Sequence, residues 1–295
     1  MRAMILAAGF GTRMRPLTDH TPKPLLEVAG LPLLEHHLLR LEAIDVDKVV
    51  INVGHLADRI LSHFAAKPNA QGQLEACWQG RKRRLTLIFS REETPLETGG
   101  GIARALSLSD ALTQDAGDDT PFLLINGDVW CDVDLTLLTI QALASHSLAP
   151  LADQPQALAG LVLVDNPPHH PRGDFLLTPT GIVKDEAGAA SDEQDEKEEK
   201  DEQEEQEEQE EQEEQAGSRL TFSGVSWLSP RLIRRAIAET PAYQGPDSVF
   251  KLAPLLREAM QHGEVRGLHH LGAWIDVGTP QRLAELDELL SHARA

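Results

Sequence analysis

Cysteine is nearly absent from this chain. The two present among 295 residues, Cys77 and Cys131, have no metal-ligand spacing. That excludes a disulfide framework and a cysteine-held metal, and it fits a reducing compartment. Long apolar runs are missing too, as is a basic region followed by an apolar stretch and a cleavage site. A cytoplasmic protein with no membrane partner is therefore expected. Positive charge is short, with 27 lysines and arginines against 47 acidic residues and a net charge of −20. Such a balance argues against nucleic acid or an anionic membrane as a partner.

Much of that charge is local. From Asp192 to Glu214 the chain carries 16 acidic residues against Lys197 and Lys200, a net of −14 out of the −20, so everything else is only mildly acidic at −6. Residues Asp192 to Gln215 fall into eight triplets, from DEQ and DEK to four copies of EEQ. Unrelieved like charge at three- and four-residue spacing repels, and a period of three puts no stripe on a helix face. Residues 187–217 are therefore expected to be a disordered, solvated insert whose deletion leaves activity intact. The rest, with 41% hydrophobic residues overall, has length enough for a substantial core.

Apolar periodicity alternates between strand and helix through the first half. Strands are expected at Ala3–Ala8, Lys48–Val53, Leu85–Ser90 and Phe122–Ile125. Helices are expected at Leu31–Ile44, with Pro32 in its first turn, at His55–Ala66 and at Ile102–Leu108. This order predicts an α/β, doubly wound, mostly parallel sheet whose ligands sit at the carboxyl ends of the strands. After a helix at Asp134–His146 the second half is richer in β-structure. It has strands at Leu161–Val164 and Leu220–Leu228 and a hairpin at Asp174–Thr178 and Ile182–Lys184. Two helices follow at Ser248–His262 and Pro280–Ala293. No hexapeptide β-helix repeat follows, so no appended acyltransferase or solenoid domain is expected.

Three motifs fall at strand ends. The first is GFGTRMRPLT followed by TPKPL. Gly9 and Gly11 let the backbone approach a phosphate chain, Arg13, Arg15 and Lys23 bring positive charge, and Pro22 and Pro24 fix the backbone around Lys23. Met14 stands where a dinucleotide fingerprint wants its third glycine, and no Walker ending is present. The second is PLETGGG, whose glycines serve either close helix packing or the approach of a flat base or sugar. The third is NGDVW. Asn-Gly is a strong hairpin signal, but a helix rather than a returning strand follows. Asp128 is therefore read as a ligand for a hard cation such as Mg2+. Two later motifs are weaker alone. In WIDVGTP, Asp276 is a carboxylate just before a helix that Thr279 could cap. In NPPHHPRGDF, Asp174 suits either a sugar hydroxyl or an exposed loop. His169, His170, His269 and His270 read as surface histidines.

Taken together, these words resemble the signature of sugar-phosphate nucleotidyltransferases. PLETGGG and HHPRGDF narrow the resemblance to members that transfer a uridylyl group from UTP to N-acetylmuramate α-1-phosphate in peptidoglycan recycling. The resemblance implies a single Rossmann-like, GT-A-like domain over 1–295. Residues 1–130 would form its nucleotide-binding half and 131–295 its sugar-binding half. It implies that Asp128 and Asp276 hold Mg2+, and that Arg13 and Lys23 act on the phosphates with the backbone of Gly11 and Thr12. Ala8, Gly9, Gly99 and Gly100 would frame the base, with Asn126 near the ribose or sugar. Gly173, Asp174 and Lys251 would face the sugar. A monomer is expected. Two rival readings stay open at this point: another sugar 1-phosphate, of glucose or mannose type, or a nucleotide-sensing subunit of the same fold.

Overall fold

The computed structural model describes every residue except 116, 148–154, 186–216, 246 and 293–295, so the acidic run lies outside the described residues. In chain order, β1 (Arg2–Ala7) leads through three short turns to a hairpin of β2 (Glu27–Val28) and β3 (Leu31–Pro32). Next come α1 (Leu33–Ala43), β4 (Lys48–Val53), α2 (Ala57–His63), β5 (Lys67–Pro68), β6 (Leu74–Gln79), β7 (Arg84–Arg91) and α3 (Glu97–Ser107). They are followed by β8 (Phe122–Asn126), β9 (Val129–Cys131), α4 (Leu135–Ser147), β10 (Ala159–Val164), β11 (Phe175–Leu177) and β12 (Val183–Lys184). The chain closes with β13 (Ser218–Leu228), α5 (Pro230–Glu239), α6 (Leu252–Gln261), β14 (Val265–His269), β15 (Trp274–Asp276) and α7 (Pro280–His292).

An 11-stranded sheet organises these elements. Its centre is parallel, with β8, β1, β4 and β7 side by side. The apolar runs of β1, β4 and β8 are what a strand buried on both faces requires. Within β1, Ala3, Ile5 and Ala7 pack toward one core, and Met4 packs toward the other. Leu34, Leu38 and Leu41 of α1 cover the first face, and Ile102 of α3 with Leu255, Leu256 and Ala259 of α6 covers the second. Each fully buried leucine contributes about 1.5–3 kcal/mol.

Strands from both predicted halves share this sheet. β13 runs antiparallel to β8 and carries β10 and β11. β1 neighbours β4 on one side and β8 on the other, so the strand order reverses at β1. In such sheets a crevice opens there.

Several elements differ from expectation. α3 begins at Glu97 and takes all three glycines into the helix. α6 begins only at Leu252, with Lys251 still extended. Pro32 ends β3 instead of lying inside α1. α5 and the β5–β6 hairpin have no counterpart in the periodicity reading; α5 starts where Ser229 Oγ accepts from the Arg231 amide, a regular N-cap. His37 on α1 is fully buried with neither ring nitrogen hydrogen-bonded. Burial first, then Arg40 and His36, push its pKa down to about 3, so the ring is neutral and packs as an apolar group. Among the described residues no helix is long and apolar enough to cross a membrane.

Candidate active site

β1 ends in the glycine loop. Gly11 holds φ at 62°, and a Cβ there would meet Thr18 Cγ2 at 3.0 Å, so only glycine fits without strain. Its carbonyl accepts from Thr18 Oγ1 at 2.8 Å and from the Met14 amide at 2.9 Å. The loop thereby folds back into the single turn Thr12–Met14. Met14 is buried beneath it while Thr12 and Arg13 stay exposed. A second turn, Lys23–Leu25, is set by Pro22 and Pro24. It buries the Lys23 side chain to 9% exposure and aims Nζ at Asp128 Oδ2, 2.8 Å away.

Asp128 stands in the turn after β8. Gly127 anchors that turn to β1 by donating to the Leu6 carbonyl at 2.8 Å. The backbone also ties it to Asp276: β15 pairs with β9 so that Asp276 faces Val129, and the Val277 amide donates to the Asp128 carbonyl at 2.9 Å. Strand β9 therefore pairs with β15 and not with β8, which is why Asn-Gly here makes no hairpin. Asp276 accepts from Arg282 at 2.8 Å, and its carboxylate lies beside Gly278.

These parts surround a cleft of about 530 Å³, lined by Ala8, Gly9, Gly11, Thr12, Arg13, Lys23, Asn126 and Asp128 among the residues named from sequence. Asp276 is not itself a lining residue; it stands behind Gly278, which is. Gly224 in β13, with φ of 81°, leaves the space that the Asn126 side chain occupies, since a Cβ there would lie 2.9 Å from Asn126 Nδ2.

The structure separates other expected residues from the cleft. Gly99 and Gly100 are buried in α3 and are not among the lining residues: a Cβ on Gly99 would strike the Phe250 ring at 2.4 Å, and one on Gly100 the Ser248 carbonyl at 2.1 Å. Helix packing against the segment before α6 is what excludes a side chain there. Glu97 and Thr98 line the cleft in their place, Glu97 holding φ at 60°, which non-glycine residues seldom adopt. Gly173 and Asp174 do not line the cleft either. Asp174 accepts from the Phe222 amide at 2.8 Å and pairs with His170 at 3.0 Å, so its carboxylate orders its own loop. Lys251 is exposed at the start of α6, also outside the lining.

Residues that sequence reading passed over complete the site. Asn52, buried in β4, accepts from the Ala7 amide at 2.7 Å and donates to Glu92 Oε1 at 2.7 Å. Glu92, just after β7, also accepts from the Leu96 amide at 3.3 Å. Burial raises the Glu92 carboxyl pKa, against the opposing pull of the Asn52 hydrogen bond. The signal for Asn52 was available, a lone polar residue in an apolar strand. Phe10, Pro95 and Thr98 lie inside the GFGTRMRPLT and PLETGGG motifs, where the glycines and basic residues carried the reading instead.

No group of three or more His, Cys, Asp or Glu that could hold a metal occurs among the described residues. The donor set is instead Asp128 and, behind Gly278, Asp276. That fits an ion such as Mg2+, which uses one or two carboxylates and takes its other ligands from water and substrate phosphates. Both carboxylates are currently matched by a cationic side chain, Lys23 and Arg282.

The model of the family described as "Nucleotidyl transferase" matches residues 2–160, the stretch that holds the glycine loop, Lys23, Glu92 and Asp128. The chain is 38% identical to N-acetylmuramate alpha-1-phosphate uridylyltransferase of Neisseria meningitidis serogroup B, with 98% of each chain covered. It is 30% identical to the protein of the same name from Caulobacter vibrioides, over 99% of this chain and 97% of that one. The crystal structure of HddC from Yersinia pseudotuberculosis shares the fold at 20% identity with a TM-score of 0.61, covering 98% of this chain and 99% of that one. The family model covers more than half of the chain: the chain belongs to the nucleotidyl transferase family.

Proposed function

We propose that this enzyme transfers a uridylyl group from UTP to N-acetylmuramate α-1-phosphate, releasing pyrophosphate and forming UDP-N-acetylmuramate. The observation that carries the substrate pair is the end-to-end match to the Neisseria relative of that name, at 38% identity over 98% of both chains. The cleft supports the reaction type.

An oxygen of the sugar phosphate attacks the α-phosphorus of UTP, and the bond from that phosphorus to the β-phosphate bridging oxygen breaks. The attacking oxygen is already an anion, so no general base is needed. Catalysis rests on positioning and on charge placed where it develops. Arg13 and the turn at Gly11 and Thr12 bind the β- and γ-phosphates and neutralise pyrophosphate as it leaves. Lys23, buried and held at one spot by its proline-flanked turn, supplies a positive charge to the α-phosphate as it becomes more crowded with negative charge. Asp128 and Asp276 would hold Mg2+, which when bound neutralises phosphate oxygens and aligns the two reactants. Ala8 and Gly9 run beneath the nucleoside, and Asn126 faces the ribose or the incoming sugar.

The test is pyrophosphate release from UTP and Mg2+ with N-acetylmuramate, N-acetylglucosamine, glucose and mannose 1-phosphates in parallel. Release confined to the first is the expected result. Release with another sugar transfers the proposal to that substrate, and no release with any sugar overturns it.

A further inference from the structure

The cleft follows the carboxyl ends of four neighbouring strands in the order β8, β1, β4, β7. Three inter-strand steps span about 14 Å. Lys23 meets Asp128 at one end of the cleft, after β8. The opposite end, beyond β4 and β7, is lined by Glu92, Pro95, Glu97 and Thr98, with Phe10 of the glycine loop also in the lining.

Phe10 is the odd member of this set. It is 54% exposed, the only aromatic among the large hydrophobic residues left exposed in the described chain. It is also the only aromatic residue lining the cleft. Its ring has one ring neighbour, His55, with centroids 5.6 Å apart and planes at 43°. His55 is held in place by the chain beside it, since Gly54 packs so close to the glycine loop that a Cβ would lie 2.9 Å from the Ala8 carbonyl. An aromatic ring left this open, beside a phosphate-binding loop and buttressed from one side, gains nothing from the core and presents a flat apolar face to the cleft.

We propose that Phe10, backed by His55, is a shelf against which the nucleobase of the bound nucleotide stacks. The inference rests on the reading of the cleft as a nucleoside triphosphate site and adds the contact that fixes which end takes the base. Stacking of a base on an aromatic side chain is sequence-tolerant, so Phe10 contributes affinity, and discrimination among bases comes from elsewhere in the cleft.

The test compares binding of UTP and of inorganic tripolyphosphate, both with Mg2+, by titration calorimetry. Tripolyphosphate carries the phosphates without the base. The Phe10→Ala variant is expected to bind UTP about 5- to 150-fold more weakly, the loss of one base–aromatic stack, while tripolyphosphate binding stays as in the unmodified protein. Phe10→Tyr should restore UTP binding, and His55→Ala should weaken UTP in the same selective way but less. Phe10→Ala binding UTP normally, or losing both ligands equally, would overturn the shelf while leaving the nucleotide site standing. An unmodified protein that binds neither ligand would overturn the nucleotide reading and the shelf with it.

Discussion

Replacing Asp128 by asparagine changes one charge and almost no volume. The amide oxygen still accepts from Lys23 Nζ, now 2.8 Å from the carboxylate, so the geometry of the turn survives. The Asp128 side chain is 44% exposed. Lys23 is the buried end of this pair, but the retained amide acceptor and the open Asp128 end hold the loss to about 1 kcal/mol, which for a chain of this size lowers Tm by about 2–4 °C. The effect on turnover is of another order. In the proposed reaction Asp128 is a preorganised charge at the point where the metal and the α-phosphate meet. Removing one such contact costs about 10²- to 10³-fold in kcat.

The assay is pyrophosphate release at saturating UTP and sugar phosphate over a Mg2+ titration, with thermal melts of both proteins alongside. The expected pattern is a kcat reduced by about 10²-fold or more, a raised Mg2+ requirement and a nearly unchanged melt. A kcat within about tenfold of the unmodified enzyme, a barrier change below about 1.4 kcal/mol, with the same Mg2+ midpoint would refute the metal assignment. A loss of activity matched by a collapse of the melt would refute the claim that the pair is energetically minor.

Three further outcomes follow from the same structure. Lys23→Ala should lower turnover by about 10²-fold or more even at saturating UTP; an unchanged maximal rate would remove Lys23 from the catalytic groups. Gly100→Ala drives a methyl to 2.1 Å from the Ser248 carbonyl, so it should destabilise the fold by about 1–3 kcal/mol or more without weakening UTP at temperatures where the variant stays folded. Weakened UTP binding with an intact melt would restore the base-framing role to that glycine. His37, held neutral with a pKa of about 3 in the folded chain, can take up a proton more readily once unfolded. Its neutral burial therefore gives stability that is fully present above the ordinary histidine range, near pH 6.5, and is lost as pH falls toward 3. His37→Leu should melt close to the unmodified protein at pH 8 and increasingly above it between pH 6 and pH 4, and a constant difference across that range would contradict the assignment.

What was legible in sequence was whatever a short contiguous stretch dictates. Lys48–Val53 matches β4 residue for residue, because six largely apolar residues with β-branched side chains between polar neighbours have few other uses. The glycine loop was legible for a related reason: glycine spacing, prolines and basic residues within one segment restrict its backbone conformations. The GGG of α3 shows the limit of that logic. The same three residues suit an open loop against a flat ligand or a helix packed hard on another chain segment. What decides is Phe250 and Ser248, some 150 residues away, whose atoms occupy the places of the missing Cβ atoms.

The same distance effect governs the site itself. Asn52 and Glu92 meet only because β4 and β7 lie side by side in parallel register. A buried carboxylate with a raised pKa then appears where sequence offers just a glutamate after a strand. Asp276 is the converse. Its motif named it, and the β9–β15 pairing brings its backbone to Asp128, yet its carboxylate is engaged by Arg282 in the first turn of α7. Arg282 also reaches His169, at 3.1 Å, in the loop that carries Asp174. For Asp276 to hold a metal as proposed, the Arg282 contact would have to loosen. The two carboxylates thus begin with cations in place, Lys23 on one and Arg282 on the other. Under the proposed function, Mg2+ held by the two carboxylates would leave those same cations as the charge offered to the phosphates.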